Sequence, residues 1–364
     1  MNSQDNGSKK SNIQVVDFFS GCGGTSCGLS MAGLDVRLGL DVNEVALETY
    51  KRNFPNSKTI CKDIRILDCK EVDKHIDKTK PLLFAGCAPC QPFSKQNKNK
   101  DKDDPRSNLL LDFLRFISHF KPDYILMENV PGIIKAKNKK LFSDFHSALS
   151  DLGYFIDFQI VQARQYGVPQ KRDRLLLLGS MHTEIKVPEP THGPGLSKPF
   201  STVSEWISGL PVISAGETCS LDPDHQSSKL SEVNLQRIRH TPSGGGREMW
   251  PEDLWLECHK MHKGHSDVYG RLDWNKPASG LTTRCISLSN GRFGHPSQDR
   301  AISVREAACL QTFPRDYKFS GSMTSKAVQI GNAVPPLLAK VMAIQVLKSE
   351  RIRVSKNLPS LKIS

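Results

Sequence analysis

The stretch IQVVDFF, residues 13–19, is apolar, β-branched and aromatic, and it breaks at once into SGCGG, residues 20–24. A run that short, closed by glycines, reads as a buried strand turning sharply into a helix, here expected through Ala32. The junction brings backbone N–H groups and a helix N-terminus close to whatever sits above the sheet, and glycine permits that close approach. The same alternation continues: strands are predicted at 36–41, 81–86, 124–129, 154–161 and 174–180, with helices at 44–52, 109–120 and 140–152. Strands alternating with helices predict the α/β class, a parallel sheet wrapped by helices.

After residue 184 the pattern changes. Between about 185 and 300 the chain is rich in Pro, Gly, Ser and His, with PEPTHGPG (188–195) as a linker and SGGG (243–246) as a flexible loop. Helical periodicity returns at 303–311 and 335–350. The chain of 364 residues has room for one large and one smaller domain. The division expected is a disordered tail at 1–12, a catalytic and cofactor-binding domain at 13–184 and a second domain at 185–326. A C-terminal helix at 327–350 is expected to pack back on the first domain, ahead of a tail at 351–364.

Ten cysteines without a regular framework read as reduced thiols, and no structural disulfide is expected. The polar start has no signal-peptide core, and no apolar run approaches the roughly 18 residues of a membrane span. A soluble, cytoplasmic protein is therefore expected, with no membrane partner. A net charge of +12 and a pI near 9.2 point to a polyanionic partner, nucleic acid first, although a ribosomal-type or membrane-surface protein would share that charge.

Three places carry chemistry. The first is the glycine turn together with Asp41, which ends the second strand about twenty residues further on, where a carboxylate can accept both ribose hydroxyls of a nucleoside. The turn is not GxGxxG, so a pyrophosphate-bearing dinucleotide and a nicotinamide oxidoreductase are the weaker reading. Asp63, read as closing the next strand, is placed to accept from an adenine amino group; helix capping is the plain alternative for both aspartates. The second is PLLFAGCAPCQPFS, which puts Cys90 in a tight turn at the carboxyl end of a strand, between Pro89 and Pro92. Cys87 and Cys90 could instead form half a zinc site or a redox pair. The third is Glu128, ending the next strand at the same sheet edge; a buried glutamate can hold a proton and give it to a ring nitrogen. A salt bridge from Glu128 to Arg172 or Arg174 is the structural alternative, and it is compatible with function.

Taken together and in order, these segments resemble the cytosine-5 DNA methyltransferases of the bacterial modification-methylase type. DFFSGCGG (17–24) is similar to the family's cofactor turn, APCQPFS (88–94) to its nucleophile loop and ENVPG (128–132) to its glutamate motif. QYGVPQKRDR (165–174) is similar to the arginine motif, REAACLQTFP (305–314) to the segment supporting target recognition, and QIGNAVPP (329–336) to the last cofactor motif. The resemblance implies a Rossmann-like S-adenosylmethionine-dependent methyltransferase fold with a smaller, mixed target-recognition domain. It implies Cys90 as nucleophile, Glu128 as the group protonating N3 of a flipped-out cytosine, and Arg172 and Arg174 as orienting residues. It further implies Phe19, Gly21, Gly23, Gly24, Asp41, Asp63 and Asn332 as the binding set for S-adenosylmethionine, with no metal. Asp41 stands where the family often has Glu, Asn43 where it often has Asp, and Cys87-Ala88 where Gly-Pro is commoner.

The polar loop 94–108 is too long for a simple connection. By the resemblance it closes over the flipped base, with Ser94 touching the DNA backbone; Lys95, Lys98 and Arg106 are cations that could add phosphate contacts, and a solvated mobile loop is the plain alternative, compatible with closure. In the 185–300 region, Arg237, Arg239, Arg247, Arg271, Arg284 and Arg292 offer forked donors for guanine edges. Cys258, His259, His262 and His265 have partial metal-ligand spacing, which in a basic loop more often reflects solvent or phosphate contacts. The expected partners are double-stranded DNA and a restriction endonuclease acting on the same site, and the protein is expected to be a monomer. A tRNA cytosine methyltransferase of the same family and a non-catalytic DNA-binding regulator are the competing readings.

Overall fold

The structure is a computed structural model and describes residues 11–88, 108–135, 139–258 and 267–358. The chain divides into two compact units, one comprising Met1–Val161, Asp173–Glu189 and Leu338–Ser364, the other Gln162–Arg172 and Pro190–Leu337.

The first unit is built on a seven-stranded sheet, and the elements fall close to where the apolar pattern predicts them. The strands are β1 (Gln14–Phe18), β2 (Asp35–Asp41), β3 (Lys58–Cys61), β4 (Leu82–Gly86), β5 (Tyr124–Asn129), β6 (Phe155–Gln162) and β7 (Asp173–Ser180). The helices between them are α1 (Gly24–Met31), α2 (Glu44–Asn53), α3 (Cys69–Asp73), α4 (Leu109–Phe120) and α5 (Lys139–Asp151). Spatial order is β3-β2-β1-β4-β5-β7-β6. Pairing is parallel from β3 through β5, but β7 runs antiparallel to β5. The expected parallel sheet holds from β3 through β5 and gives way at that edge, because β7 follows β6 without a crossover helix to turn the chain around.

Burial explains the central strands. β1, β4 and β5 have no exposed residue, as expected for strands covered on both faces. Phe18 meets Phe84, Phe113 and Phe116 with ring centroids 5.0–5.2 Å apart. α4 supplies two of those rings because Leu109, Leu110, Phe113, Phe116, Ile117 and Phe120 recur at helical spacing and are all buried.

The strand order reverses between β1 and β4: β2 and β3 lie to one side of β1, later strands to the other. Phe18 ends β1 directly opposite Gly86 at the end of β4, and the Cys87 amide donates to the Phe18 carbonyl at 3.4 Å. The glycine turn and the segment leading toward Cys90 thus leave the sheet side by side, at the switch point where open α/β sheets bind ligands.

The second unit has few regular elements: a hairpin of Thr218–Cys219 with Asp222–Gln226, and helices at Val203–Ile207, Glu232–Arg239, Val304–Leu310 and Met323–Asn332. Its irregular backbone leaves carbonyls without ladder partners, and arginines serve them. Arg271 donates to the carbonyls of Thr241, Ile238 and His295, Arg300 to that of Ile213, and Arg305 to that of Tyr317. Arg300, fully buried, also forms a two-pronged pair with Glu306 at 2.7 and 2.8 Å. Residues 323–355, which form the helices Met323–Asn332 and Pro336–Ser355, are by length and composition alone apolar enough to cross a membrane, contrary to expectation, but 61% of their most apolar window is buried.

Candidate active site

The β1–α1 turn holds its shape through unusual backbone angles. Phe19 has φ 57°, Gly21 φ 51° and Gly23 φ 93°. Such angles suit glycine, but a phenylalanine there is strained and persists only when its surroundings impose it. The Gly21 amide donates to Asp41 Oδ2 at 2.8 Å, and the Asn43 amide donates to Asp41 Oδ1 at 2.8 Å. Burial raises the Asp41 carboxyl above the ordinary range, and the Asn43 and Gly21 N–H groups pull it back down. Asp41 is therefore no helix cap; α2 is capped by Asn43, whose side chain accepts from the Ala46 amide at 3.0 Å.

This donor set fits a nucleoside without phosphates. The turn N–H that would serve a phosphate already faces a carboxylate, whose remaining lone pairs suit ribose hydroxyls. Phe19 in the same turn is half-buried and packs against the apolar core of the sheet. Val42, 70% exposed and next to Asp41, is an apolar residue at the same edge that sequence reasoning passed over. Its only signal was an aliphatic side chain directly after the acidic strand end.

Asp63 departs from expectation. β3 stops at Cys61, so Asp63 lies beyond the strand, in the turn that follows. Its carboxylate accepts from the Arg65 amide at 2.9 Å and from the Arg65 guanidinium at 2.5–3.0 Å, and that pairing lowers its pKa.

Glu128 and Arg174 are brought together by sheet register. Glu128 on β5 faces Leu176 on β7, which makes Arg174, two residues before Leu176, its diagonal neighbour on the same face. Arg174 Nε lies 2.5 Å from Glu128 Oε1, and both side chains are almost covered. The next residue adds a link that sequence reasoning missed. Buried Asn129 donates from Nδ2 to the Ala88 carbonyl at 3.2 Å, tying the end of β5 to the segment that runs on to Cys90. Cys87, just upstream, has its thiol pKa raised well above the usual value by burial, with the nearby negative charge of Glu128 adding to it. That favours the inert thiol form at position 87 and argues against a Cys87 thiolate as a metal or redox group.

Cys90, Ser94 and Arg106, with Lys95 and Lys98, lie outside the described residues, as do His259, His262 and His265. Arg172, Asn332 and Arg284 belong to the second unit. Arg172 is buried and donates to the carbonyls of Leu281 at 2.8 Å and Gly331 at 2.9 Å, so it braces the residue just before Asn332. Asn332 is exposed at the end of its helix. Arg284 is exposed, with its amide donating to Thr282 Oγ1 at 3.2 Å. Of the other arginines expected to offer forks to guanine, Arg237, Arg247 and Arg271 are buried. Arg237 donates to the Leu254 carbonyl and lies over the rings of Trp250 and Tyr269, and Arg271 serves the backbone. Arg292 spends two donors on the Gly244 and Gly245 carbonyls.

Residues 13–348 match the family described as C-5 cytosine-specific DNA methylase. The chain is 41% identical over 335 residues to the Type II methylase M.HgiDII of Herpetosiphon aurantiacus, covering 90% of this chain and 93% of that one. It is 33% identical over 339 residues to the Type II methyltransferase M1.HphI of Haemophilus parahaemolyticus, with 92% and 87% covered. Among solved structures, a prophage-encoded E. coli protein described as a DNA modification methyltransferase superposes with a TM-score of 0.72 at 25% identity, over 93% of this chain and 99% of that one. With a switch-point sheet carrying a glycine turn and a buried Glu–Arg pair, the chain belongs to the C-5 cytosine-specific DNA methylase family and is a DNA (cytosine-5)-methyltransferase.

Proposed function

We propose that the protein methylates carbon 5 of a cytosine within one short duplex DNA sequence, through a transient bond between Cys90 and C6 of a base turned out of the helix. The observation that supports this most is the hydrogen bond from Asn129 Nδ2 to the Ala88 carbonyl at 3.2 Å, which ties the end of β5, where Glu128 is held by Arg174, to the segment that runs on to Cys90.

C5 of cytosine is a weak nucleophile. Addition of the Cys90 thiolate at C6, with the Glu128 proton delivered to N3, converts C5 into an enamine-like carbon that accepts an electrophilic methyl group. Loss of the C5 proton to solvent water, return of the N3 proton to Glu128 and expulsion of Cys90 as thiolate restore the aromatic ring. Arg174 keeps the Glu128 carboxyl aimed, and Arg172 and Arg174 orient the base and favour the thiolate. Because C6 is unreachable in stacked DNA, the base has to be flipped.

S-adenosylmethionine, when bound, supplies the methyl group as a sulfonium. Phe19 would stack on its adenine, Gly21, Gly23 and Gly24 would approach its methionine part, and Asp41 would hold the ribose, with Asp63 and Asn332 completing the set. Asp63 would then keep its Arg65 pairing while accepting from the adenine amino group. Ser94, Arg106 and Arg284 contact DNA, Ser94 and Arg106 at the backbone and Arg284 in the recognition region. The family arrangement favours a cytoplasmic monomer that protects a site from a companion restriction endonuclease. We further assign catalysis to residues 13–184 and target recognition to 185–326.

Expression in a host without cytosine methylation, followed by bisulfite sequencing, tests the reading. One short motif carrying 5-methylcytosine is expected; an unmodified genome, or methylation confined to tRNA, would overturn it.

A further inference from the structure

Behind the glycine turn lies a polar chain that the proposed chemistry leaves unused. Asp17, the next-to-last residue of β1, is fully buried, as are Ser26 in the first turn of α1 and Tyr50 in α2. The Ser26 hydroxyl donates to Asp17 Oδ2 at 2.6 Å, and the Tyr50 hydroxyl lies 2.8 Å from the same Ser26 oxygen. Ser26 bridges the other two: with the Asp17 carboxylate ionised, its single proton goes to Asp17, and Tyr50 donates to Ser26.

Tyr50 reaches this position because β2 carries a glycine opposite it. A Cβ on residue 39 would come within 2.5 Å of the Tyr50 ring, so only Gly39 lets the ring lie against the strand. Asp17 is held at a cost: its Oδ1 is buried with no hydrogen-bond partner among the described residues. Burial pushes its carboxyl up to about 7, against the lowering effect of Ser26. A buried, half-satisfied carboxyl and a matched glycine cradle are expensive features for a strand interior, where an apolar residue would pack more simply.

The link spans a stretch of backbone with unusual angles. Between Asp17 and Ser26 lie the three positive-φ residues Phe19, Gly21 and Gly23. From the front the turn is held by the Gly21 amide on Asp41 at 2.8 Å. From behind, Tyr50, Ser26 and Asp17 tie the start of α1 to the strand that precedes the turn.

We propose that Tyr50 and Ser26, acting through Asp17, are positioning residues that hold the β1–α1 turn in the shape that receives the methyl donor. This rests on the functional reading above. The Tyr50→Phe protein keeps the ring against Gly39 and loses one O–H; Ser26→Ala cuts the same chain without disturbing the ring. Either substitution raises the dissociation constant for S-adenosylmethionine, measured by calorimetry, about five- to tenfold, the scale of one hydrogen bond. The turnover rate at saturating donor stays within about twofold, because no group touching the base changes. In the ligand-free proteins, amide hydrogen exchange at residues 19–24 quickens while the strands β4 and β5 exchange as before. The double variant is no weaker than Ser26→Ala alone, since that substitution already leaves the Tyr50 hydroxyl without its Ser26 partner.

Donor affinity and turn exchange equal to those of the unaltered protein in a folded Tyr50→Phe or Ser26→Ala variant would overturn the proposal alone. So would a loss confined to turnover. Failure of the unaltered protein to bind S-adenosylmethionine would overturn the functional reading and this proposal with it.

Discussion

Arg174 Nε sits 2.5 Å from Glu128 Oε1, on neighbouring antiparallel strands and almost out of reach of water. The pair has a geometric consequence: a carboxyl gripped from one side presents its other oxygen in a fixed direction. Glu128→Gln cannot deliver a proton to N3 in the same way, and should lower the single-turnover rate of methyl transfer by roughly 10²- to 10⁴-fold while duplex binding persists. Arg174→Lys should restore little over Arg174→Ala, because a point charge does not hold a carboxylate in one plane. Single-turnover transfer of a labelled methyl group, run beside a gel-shift titration, separates the two quantities.

Asn129 fixes the approach to the nucleophile. Its donor to the Ala88 carbonyl at 3.2 Å is buried, so Asn129→Ala should cost about 1–3 kcal/mol of stability, the scale of a buried group left unpaired. Methyl transfer should fall more than the thermal midpoint alone explains. Activity assayed well below the midpoint makes the comparison.

Much of this was legible in the residues themselves. The glycine turn, the strand ends at Asp41 and Glu128, and the apolar strands announced the sheet because each rests on local pattern: burial on both faces writes continuous apolar runs, and positive φ demands glycine. Phe19 at φ 57° shows the limit. No rule of composition places an aromatic there; the surrounding turn imposes it. Register was equally hidden. Glu128 and Arg174 are 46 residues apart in the sequence, and their meeting depends on β7 reversing against β5, a choice made by tertiary packing. In the second unit, Arg237, Arg247 and Arg271 read as surface cations available to DNA, yet they are buried. Nothing in a one-dimensional pattern distinguishes an arginine facing a groove from one serving stranded carbonyls.

Asp41 should carry much of the donor's ribose recognition. Asp41→Ala removes both the ribose acceptor and the partner of the Gly21 amide, and should weaken S-adenosylmethionine binding about 10- to 100-fold, the range of a charged hydrogen bond. Asp41→Glu, the commoner family residue, should retain most of the affinity. Calorimetric titration of the free proteins measures both.

His295 gives the second unit a pH dependence of known sign. Its Nδ1 accepts from the amides of Ser297 at 3.2 Å and Gln298 at 2.9 Å, which requires a neutral ring. Burial pushes its pKa down to about 4, in spite of Glu306 nearby. An unfolded histidine takes a proton near pH 6.5, so between about 6.5 and 4 the unfolded chain binds the proton and the folded one resists it. Stability from this group is therefore complete above about pH 6.5 and declines as pH falls, by on the order of 2 kcal/mol at pH 5. Urea unfolding of the wild type and His295→Gln at pH 7.5 and pH 5 should show a smaller acid loss in the variant.

The most direct test uses a duplex containing 5-fluorocytosine at the mapped target position, incubated with the protein and S-adenosylmethionine. Fluorine cannot leave C5 as a proton does, so the bond between Cys90 and C6 is trapped. A covalent complex stable to denaturant, with the crosslink mapped by mass spectrometry to Cys90 and lost in Cys90→Ser, is the predicted result. An active protein that methylates ordinary DNA at that site but never becomes joined to the fluorinated duplex through Cys90 would contradict it.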